Sequence, residues 1–580
     1  MRCSLLLSML WACSGKEEGG GPAVVDDDAD NDGYSADEGD CNDLDAFTHP
    51  AAAEDCDSID NNCDGSVDEG VSSVWYPDTD ADGFGDAANA ITACGSVDGT
   101  VPNAEDCDDG SAATYPGATE LCDGVDNDCD GLPDPNSCRP LETAEGLIHG
   151  VNPDDGLGHA LCAVGDLNGD GRSDLGIGAP GVDPAGAAYF FLGPVEGEVS
   201  AALSEITFVG TNPGDDAGYS VAGLGDLDGD GDVEVGVGAR NDPTGGSAAG
   251  AIFVLDGPVM GLYSGAQAVA RLFGEDAGDS AGISLSPAGD VNGDGLADFL
   301  VGAPNVADGG ISAGAAYLIL GPAVGDTHLD LASARIFGVV EYEYAGQRIA
   351  DLGDLNGDGF DDIGVASPSS DLGAESGGAV GIFTGPLTGD HLTTSAPWLI
   401  RGLAAGDHAG SALAGVGDVD GDGYADLLVG APDQNGVGVD AGAAYFLRGG
   451  VAPAGTLTAP DAIFLGHMAG DHAGNAVDGA GDVDGDSFID LLIGASIEDS
   501  GGINAGAAYL VRGPVAGTYD LGNADAGFIG EAESDLAGST VVGLGDATGD
   551  GRGDLLIGAP QNDATGEDAG TVYFISSASF

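Results

Sequence analysis

Seven short stretches of this chain carry oxygen-bearing side chains at a spacing suited to one hard cation. The clearest is Asp418-Val-Asp-Gly-Asp-Gly-Tyr-Ala-Asp426, with carboxylates at positions 1, 3, 5 and 9 and glycine at 4 and 6. Short acidic side chains at alternating positions can turn inward on one ion, the glycines permit the tight turn, and the position 7 carbonyl supplies another oxygen. The ligand positions 1, 3, 5, 7 and 9 are Asp166, Asn168, Asp170, Arg172 and Asp174 in the first loop and Asp226, Asp228, Asp230, Asp232 and Glu234 in the second. They are Asp290, Asn292, Asp294, Leu296 and Asp298 in the third, and Asp354, Asn356, Asp358, Phe360 and Asp362 in the fourth. The remaining loops supply Asp418, Asp420, Asp422, Tyr424 and Asp426, then Asp482, Asp484, Asp486, Phe488 and Asp490, then Asp546, Thr548, Asp550, Arg552 and Asp554. A polar turn also favours Asp and Gly, but it has no need of four acidic or amide groups where like charges repel. About seven calcium ions are expected. Substitutions of Thr548 for an acid or amide and of Ser487 for the turn glycine make the seventh and sixth loops the weakest expected sites, while Arg172 and Arg552 are expected to point to solvent.

An EF-hand would complete its cage with Glu at position 12 between helices. Position 12 here is Ile177, Val237, Val301, Val365, Val429, Ile493 or Ile557, inside apolar runs such as Asp426-Leu-Leu-Val-Gly-Ala-Pro432. Such runs, bounded by Gly and Pro, read as buried β-strands, so the loops connect strands. Loop starts lie 60 residues apart once and then 64 apart five times. The shorter first unit has lost four residues between Pro180 and Tyr189. Several short apolar segments per unit suggest a small four-stranded sheet that cannot stand alone, and seven such sheets set radially would bury each other's faces. The fold class expected is all-β, a seven-bladed β-propeller over residues 139–580. Because the chain ends soon after Tyr573, the segment 139–146 (Pro140-Leu-Glu-Thr-Ala-Glu-Gly146) is expected to close the last blade.

The repeat also carries Phe-Gly pairs such as Phe273-Gly274 and Phe337-Gly338, Gly-Ala-Pro after the loop, and Gly-Ala-Ala-Tyr. Together these resemble the FG-GAP repeats of the integrin α-subunit head. The resemblance implies a seven-bladed propeller with calcium loops on one face and a non-enzymatic role at a cell surface, where it binds a protein or a glycan. Arg552-Gly-Asp554 spells an integrin-binding tripeptide, but Asp554 is a loop ligand and is expected to be taken up by the metal.

Residues 26–138 have a different character, with cysteine and aspartate repeating together. The spacings of Cys41, Cys56 and Cys63 recur in Cys107, Cys122 and Cys129. Further cation loops are read at Asp60, Asn62, Asp64 and Asp68, at Asp126, Asp128, Asp130 and Asp134, at Asp28, Asp30 and Asp32, and at Asp78, Asp80, Asp82 and Asp86. With Cys94 and Cys138 the region holds eight cysteines. Disulfides stapling two small modules, 26–70 and 71–138, are the favoured reading, with the pairing open and zinc as the rival. Cys107-Asp-Asp-Gly and Pro116-Gly-Ala-Thr-Glu-Leu-Cys-Asp-Gly-Val-Asp-Asn-Asp-Cys-Asp-Gly131 resemble the MopE-type metal-binding repeat of bacterial surface proteins. That resemblance alone implies copper, for which His49 and Trp75 are the candidates.

Residues 1–13 read as a secretory signal whose Leu10-Trp-Ala-Cys13 resembles a bacterial lipobox. Cys13 is therefore a candidate for lipid attachment and an outer-membrane anchor, against simple secretion. Residues 14–25 suit a flexible tether. A net charge of −88, with 12 Lys and Arg against 100 Asp and Glu, argues against a nucleic-acid partner and towards cations. Cys162 is the odd cysteine of the repeat region and is expected to be a buried free thiol. His408 and His472 sit at equivalent Gly-Asp-His-Ala-Gly positions of neighbouring repeats, which favours a structural role. Neither a nucleophile elbow, nor a His-Glu-x-x-His pair, nor a phosphate loop is present. Two readings stay open: a calcium-stabilised adhesion or assembly scaffold, and a surface metal-capture protein that uses the propeller as a carrier.

Overall fold

The computed structural model describes residues 28–112, 114–118, 126–129, 138–257, 260–450 and 455–579. The chain divides into two compact units, Met1–Thr119 with Asp126–Leu132, and Glu120–Val125 with Pro133–Phe580.

In the second unit every apolar run after a loop is a strand buried on both faces, from Asp174–Ala179 in the first repeat to Asp554–Ala559 in the last. Burial on both faces is why these runs lack alternation. In the first repeat this strand pairs antiparallel with Ala160–Gly165 on the inner side and Ala187–Phe191 on the outer side, and Ile206–Val209 follows. The fourth strand alternates buried and half-buried residues, as a rim strand should. A fifth, parallel strand comes from the next repeat: Gly261–Ser264 lies beside Ile206–Val209. Inner strands of successive repeats are neighbours throughout, and Thr540–Gly545 returns to lie beside Ala160–Gly165. The unit is a seven-bladed β-propeller.

Its core is partitioned between blades. Val164, Phe190 and Phe208 of the first blade pack on Val235, Val237 and Phe253 of the second, and the same arrangement recurs around the ring. Blades approach closely where the Gly-Ala-Pro glycine meets its neighbour. A Cβ on Gly430 would stand 2.0 Å from the Gly474 carbonyl oxygen, so only glycine fits there. The first blade joins its second and third strands through 180–186, four residues fewer than the 240–250 connection of the second.

Closure differs from expectation by a few residues. The strand pairing with Thr571–Ile575 is Gly146–His149, which completes the seventh blade. Within the expected 139–146 segment, Leu141–Thr143 is a 3-10 turn, and Cys138–Pro140 runs parallel to Ala526–Ile529 of the sixth blade. Leu141 is the reason: its side chain is buried in the core between the sixth and seventh blades, which turns the chain before the strand begins.

Among its described residues the first unit contains one small sheet, in which Ser73–Pro77 pairs with Ile91–Ala93 and Thr100–Val101. Disulfides join Cys41 to Cys63, Cys56 to Cys94 and Cys107 to Cys129, and Cys138 is also disulfide-bonded. This overturns the zinc alternative for these cysteines. The Cys56–Cys94 bridge crosses the expected boundary between 26–70 and 71–138. Cys13 and Cys122 lie outside the described residues.

Candidate metal centres

Each propeller loop is folded by its own carboxylates. Asp166 at position 1 accepts from the amides of Gly169, Asp170 and Gly171 at 2.7, 3.0 and 2.7 Å. Asp170 accepts from Arg172 N at 3.0 Å. Asp174 at position 9 accepts from Leu167 N at one oxygen and, across the blade, from Gly193 N at the other, both at 2.8 Å. The same pattern recurs in the other loops, so acidic side chains and glycine amides set the turn before any ion is considered.

Position 9 is fully buried in six loops and nearly so at Glu234. Burial, reinforced by the neighbouring loop carboxylates, pushes Asp298, Asp426 and Asp490 up to about 6 and Asp362 and Glu234 up to about 7. Glu234 Oε1 is buried with no partner. A buried carboxylate short of positive charge is what a bound cation would satisfy. Among the described residues, ligand oxygens lie within 4.8 Å of one another in Asp226, Asp228 and Asp230, in Asp418, Asp420 and Asp426, and in Asp482, Asp484 and Asp490. The first, third and fourth loops have Asn at position 3 and so fewer carboxylates. In the seventh, the Thr548 hydroxyl is buried without a partner. Ser487 takes the left-handed φ of 77° that glycine has elsewhere, and the sixth loop still converges.

Two features escaped the sequence reading. Arg448 and Arg512 reach back to position 3 of their own loops, 2.9 Å from Asp420 and 3.3 Å from Asp484. In the second loop the corresponding residue is Asp256, pushed up by burial and by Asp228, Asp230 and Asp232. Comparing the residue before each Gly-Gly or Gly-Pro turn would have exposed the contrast.

Position 7 side chains do not simply point to solvent. Leu296, Phe360, Tyr424, Phe488, Arg552 and Arg172 each lie against the position 4 glycine of the preceding blade's loop; the Arg552 guanidinium is 3.2 Å from where a Gly485 Cβ would stand. The next residue links backbones, as Ser173 N donates to Asp546 O at 3.1 Å and Gly553 N to Asp482 O at 2.9 Å. Asp554 of the Arg-Gly-Asp tripeptide is fully buried and accepts from Ala547, Thr548 and Ser577 amides. Cys162 is free but only half-buried, because its strand lines the central channel, and burial pushes its thiol up to about 12.

In the first unit, Asp28, Asp30 and Asp32 converge, as do Asp78, Asp80 and Asp82. Buried oxygens of Asp30, Asp32 and Asp40, and of Asp78, Asp80, Asp82 and Asp106, have no partner. Asp40 and Asp106 were not foreseen, yet each directly precedes the first cysteine of its repeat. Asp86 caps the 3-10 turn Ala87–Asn89 by accepting from Ala88 N at 2.7 Å, and its backbone bridges to Asp106. Desolvation and the charges of Asp82 and Asp80 push Asp106 up. Asp60 and Asp64 fold their loop by accepting from the amides of Asp64, Gly65 and Ser66, and Asp68 accepts from the Asp57 and Ser58 amides. Asp130 and Asp134 lie outside the described residues. His49 stacks on Tyr34, with Nδ1 accepting from Ala51 N at 3.2 Å. Trp75 Nε1 is buried without a partner.

The FG-GAP repeat family matches residues 157–191, 281–319, 409–447 and 537–575, which are alternate blades. The MopE-type metal-binding motif matches 40–69 and 106–135. Among curated proteins, integrin alpha-IIb of Mus musculus is 36% identical over 282 residues, covering 44% of this chain and 25% of the integrin. Integrin alpha-IIb of Homo sapiens is 36% identical over 291 residues, 46% of this chain and 26% of the integrin. Integrin alpha-PS2 of Drosophila melanogaster is 33% identical over 223 residues, 37% of this chain and 15% of its own length. The matched part thus spans about a quarter or less of these relatives.

Proposed function

Proceeding from a chain that carries integrin-α-like FG-GAP repeats behind two MopE-type motifs, we propose that this protein is a calcium-binding, non-enzymatic scaffold outside the cell. Its propeller would bind a protein or glycan partner in adhesion or surface assembly. The observation that carries the reading is the recurrence of one loop design in every blade, with position 9 carboxylates buried and short of positive charge. Hard oxygen donors in a glycine turn suit calcium above softer ions. Which residues hold calcium, the lipid on Cys13 and the glycan are part of the proposal.

A second reading, metal capture by the first unit, is favoured by the orphaned oxygens around Asp30 and Asp80. Those donors again suit a hard cation. Copper would have to use Nε2 of His49, because its Nδ1 already accepts a backbone amide.

Elemental analysis of the full chain, purified without chelator and dialysed against metal-free buffer, separates the readings. Seven or more calcium per chain with negligible copper supports the scaffold. Copper near one per chain, or calcium far below seven, moves the weight to the first unit.

A further inference from the structure

The propeller's axial channel is pinched by a ring of apolar side chains, one per blade, including Leu161, Val221, Leu285 and Ile349. On the loop side of this waist lies a chamber of about 360 Å³ whose lining includes Asp351 and Asp478. On the opposite side lies a second chamber of about 430 Å³, lined by the first residues of the inner strands.

The second chamber is where the repeat departs from itself. At the position of Arg348 the other blades have Ala160, Ser220, Ser284, Ala412, Ala476 and Thr540, all small and neutral. Arg348 is exposed to the channel, and among the described residues its guanidinium donates one hydrogen bond, to the Gln347 carbonyl at 3.0 Å. Five other arginines have found carboxylates: Arg240 with Asp216, Arg271 with Asp326, Arg335 with Asp390, Arg448 with Asp420 and Arg512 with Asp484. In a chain with 100 acidic residues against 12 Lys and Arg, Arg348 faces a cavity whose lining, among the described residues, holds no carboxylate.

The neighbours reinforce this. His159 packs against Tyr219 with ring centroids 4.4 Å apart, and the Arg240 guanidinium covers Tyr219 at 3.8 Å from its centroid. The Arg240 charge is matched by Asp216 at 3.0 Å, which leaves Arg348 as the unmatched charge of the chamber. His159 Nδ1 is buried without a partner; burial, then Arg240 and Arg348, hold the imidazole low. Asp351 and Asp478 are on the far side of the apolar waist.

We propose that the chamber opposite the metal loops binds a carboxylate-bearing ligand, with the Arg348 guanidinium as its anchor. The planar guanidinium fork matches a carboxylate in two parallel hydrogen bonds. A volume of about 430 Å³ admits a small di-acid or the last residues of a peptide. The proposal does not rest on cation binding by the loops.

Titration calorimetry of the full chain in HEPES, chloride and calcium tests it with three probes: succinate, trialanine, and trialanine amide. Binding of succinate or of trialanine, without binding of the amide, is expected, and which of the two binds identifies a free acid or a peptide terminus as the source. Arg348→Gln should weaken that binding at least tenfold. Arg348→Lys keeps the charge and loses the fork, so it should weaken binding less while leaving the melting temperature unchanged. Absence of binding by both carboxylates, equal binding of the amide, or wild-type affinity in both variants would overturn the proposal.

Discussion

Asp433 sits between two imidazoles from adjacent blades, with His408 Nδ1 at hydrogen-bond distance from one oxygen and His472 Nδ1 3.2 Å from the other. The equivalent Gly-Asp-His-Ala-Gly positions therefore cross-link blades five and six. Hydrogen bonding to His472 holds Asp433 below the usual carboxylate range, and the same bond raises His472. The Asp433 share of stability is present above about pH 4 and lost as pH falls through its lowered value. The His472 share is present below about pH 6.5 and lost as pH rises through its raised value. Asp433→Asn is therefore expected to reduce the unfolding free energy more at pH 5.5 than at pH 8.5, by about 1 kcal/mol at the lower pH given the partial exposure of the pair, as read from thermal melts. Equal losses at both values would remove the ionic clamp. A second test concerns Asp86 and Asp106. If Asp106 completes the Asp78–Asp82 cluster, Asp106→Asn loses about one calcium per chain by equilibrium dialysis, and Asp86→Asn loses none. The reverse outcome would make Asp86 the ligand.

At the scale of elements, a blade is an incomplete object. Its second strand is buried only because the next blade covers it, and in every loop but the first the position 4 glycine is covered by the neighbour's position 7 side chain. The seventh blade is completed by a strand more than 420 residues away in sequence, since Phe574 pairs with Gly146. Ile148 in that strand is fully buried, so Ile148→Ala should cost about 2–5 kcal/mol in urea denaturation. Glu142, exposed in the preceding 3-10 turn, should tolerate alanine within about 0.5 kcal/mol. A larger loss from Glu142→Ala than from Ile148→Ala would contradict the Gly146–His149 closure.

At the scale of the whole molecule, the dominant number is a net charge of −88. Seven divalent ions would offset about 14 charges, so most of the repulsion remains to be screened by salt. Ions held by the folded state alone stabilise it by mass action, each by about 2.7 kcal/mol at a concentration one hundred times its dissociation constant. A chelator in low salt is therefore expected to lower the melting temperature sharply. Sodium chloride should recover only part of the loss, because screening relieves repulsion without filling the loops. An unchanged melt in chelator would refute calcium stabilisation, and full recovery by sodium chloride would reduce it to general screening.

The loop design, its repetition and the apolar runs behind it were legible in the sequence, because ligand spacing and strand burial are local patterns of a few residues. Asp418 to Asp426 names its own turn, and Val429 at position 12 names the strand that follows. The bulk of the propeller follows from those two patterns repeated. What only the tertiary structure decided lies between elements. The backbone bridge from Asp86 brings Asp106 close enough to feel the charges of Asp82 and Asp80. Arg448 and Asp256 meet their loops from across a blade, and Arg172 and Arg552 are placed by the blade next door. Among the described residues Arg348 has no carboxylate partner, because the apolar waist separates it from Asp351 and Asp478. Such contacts join residues distant in sequence, and no spacing along the chain encodes which side chains closure of a ring will bring together.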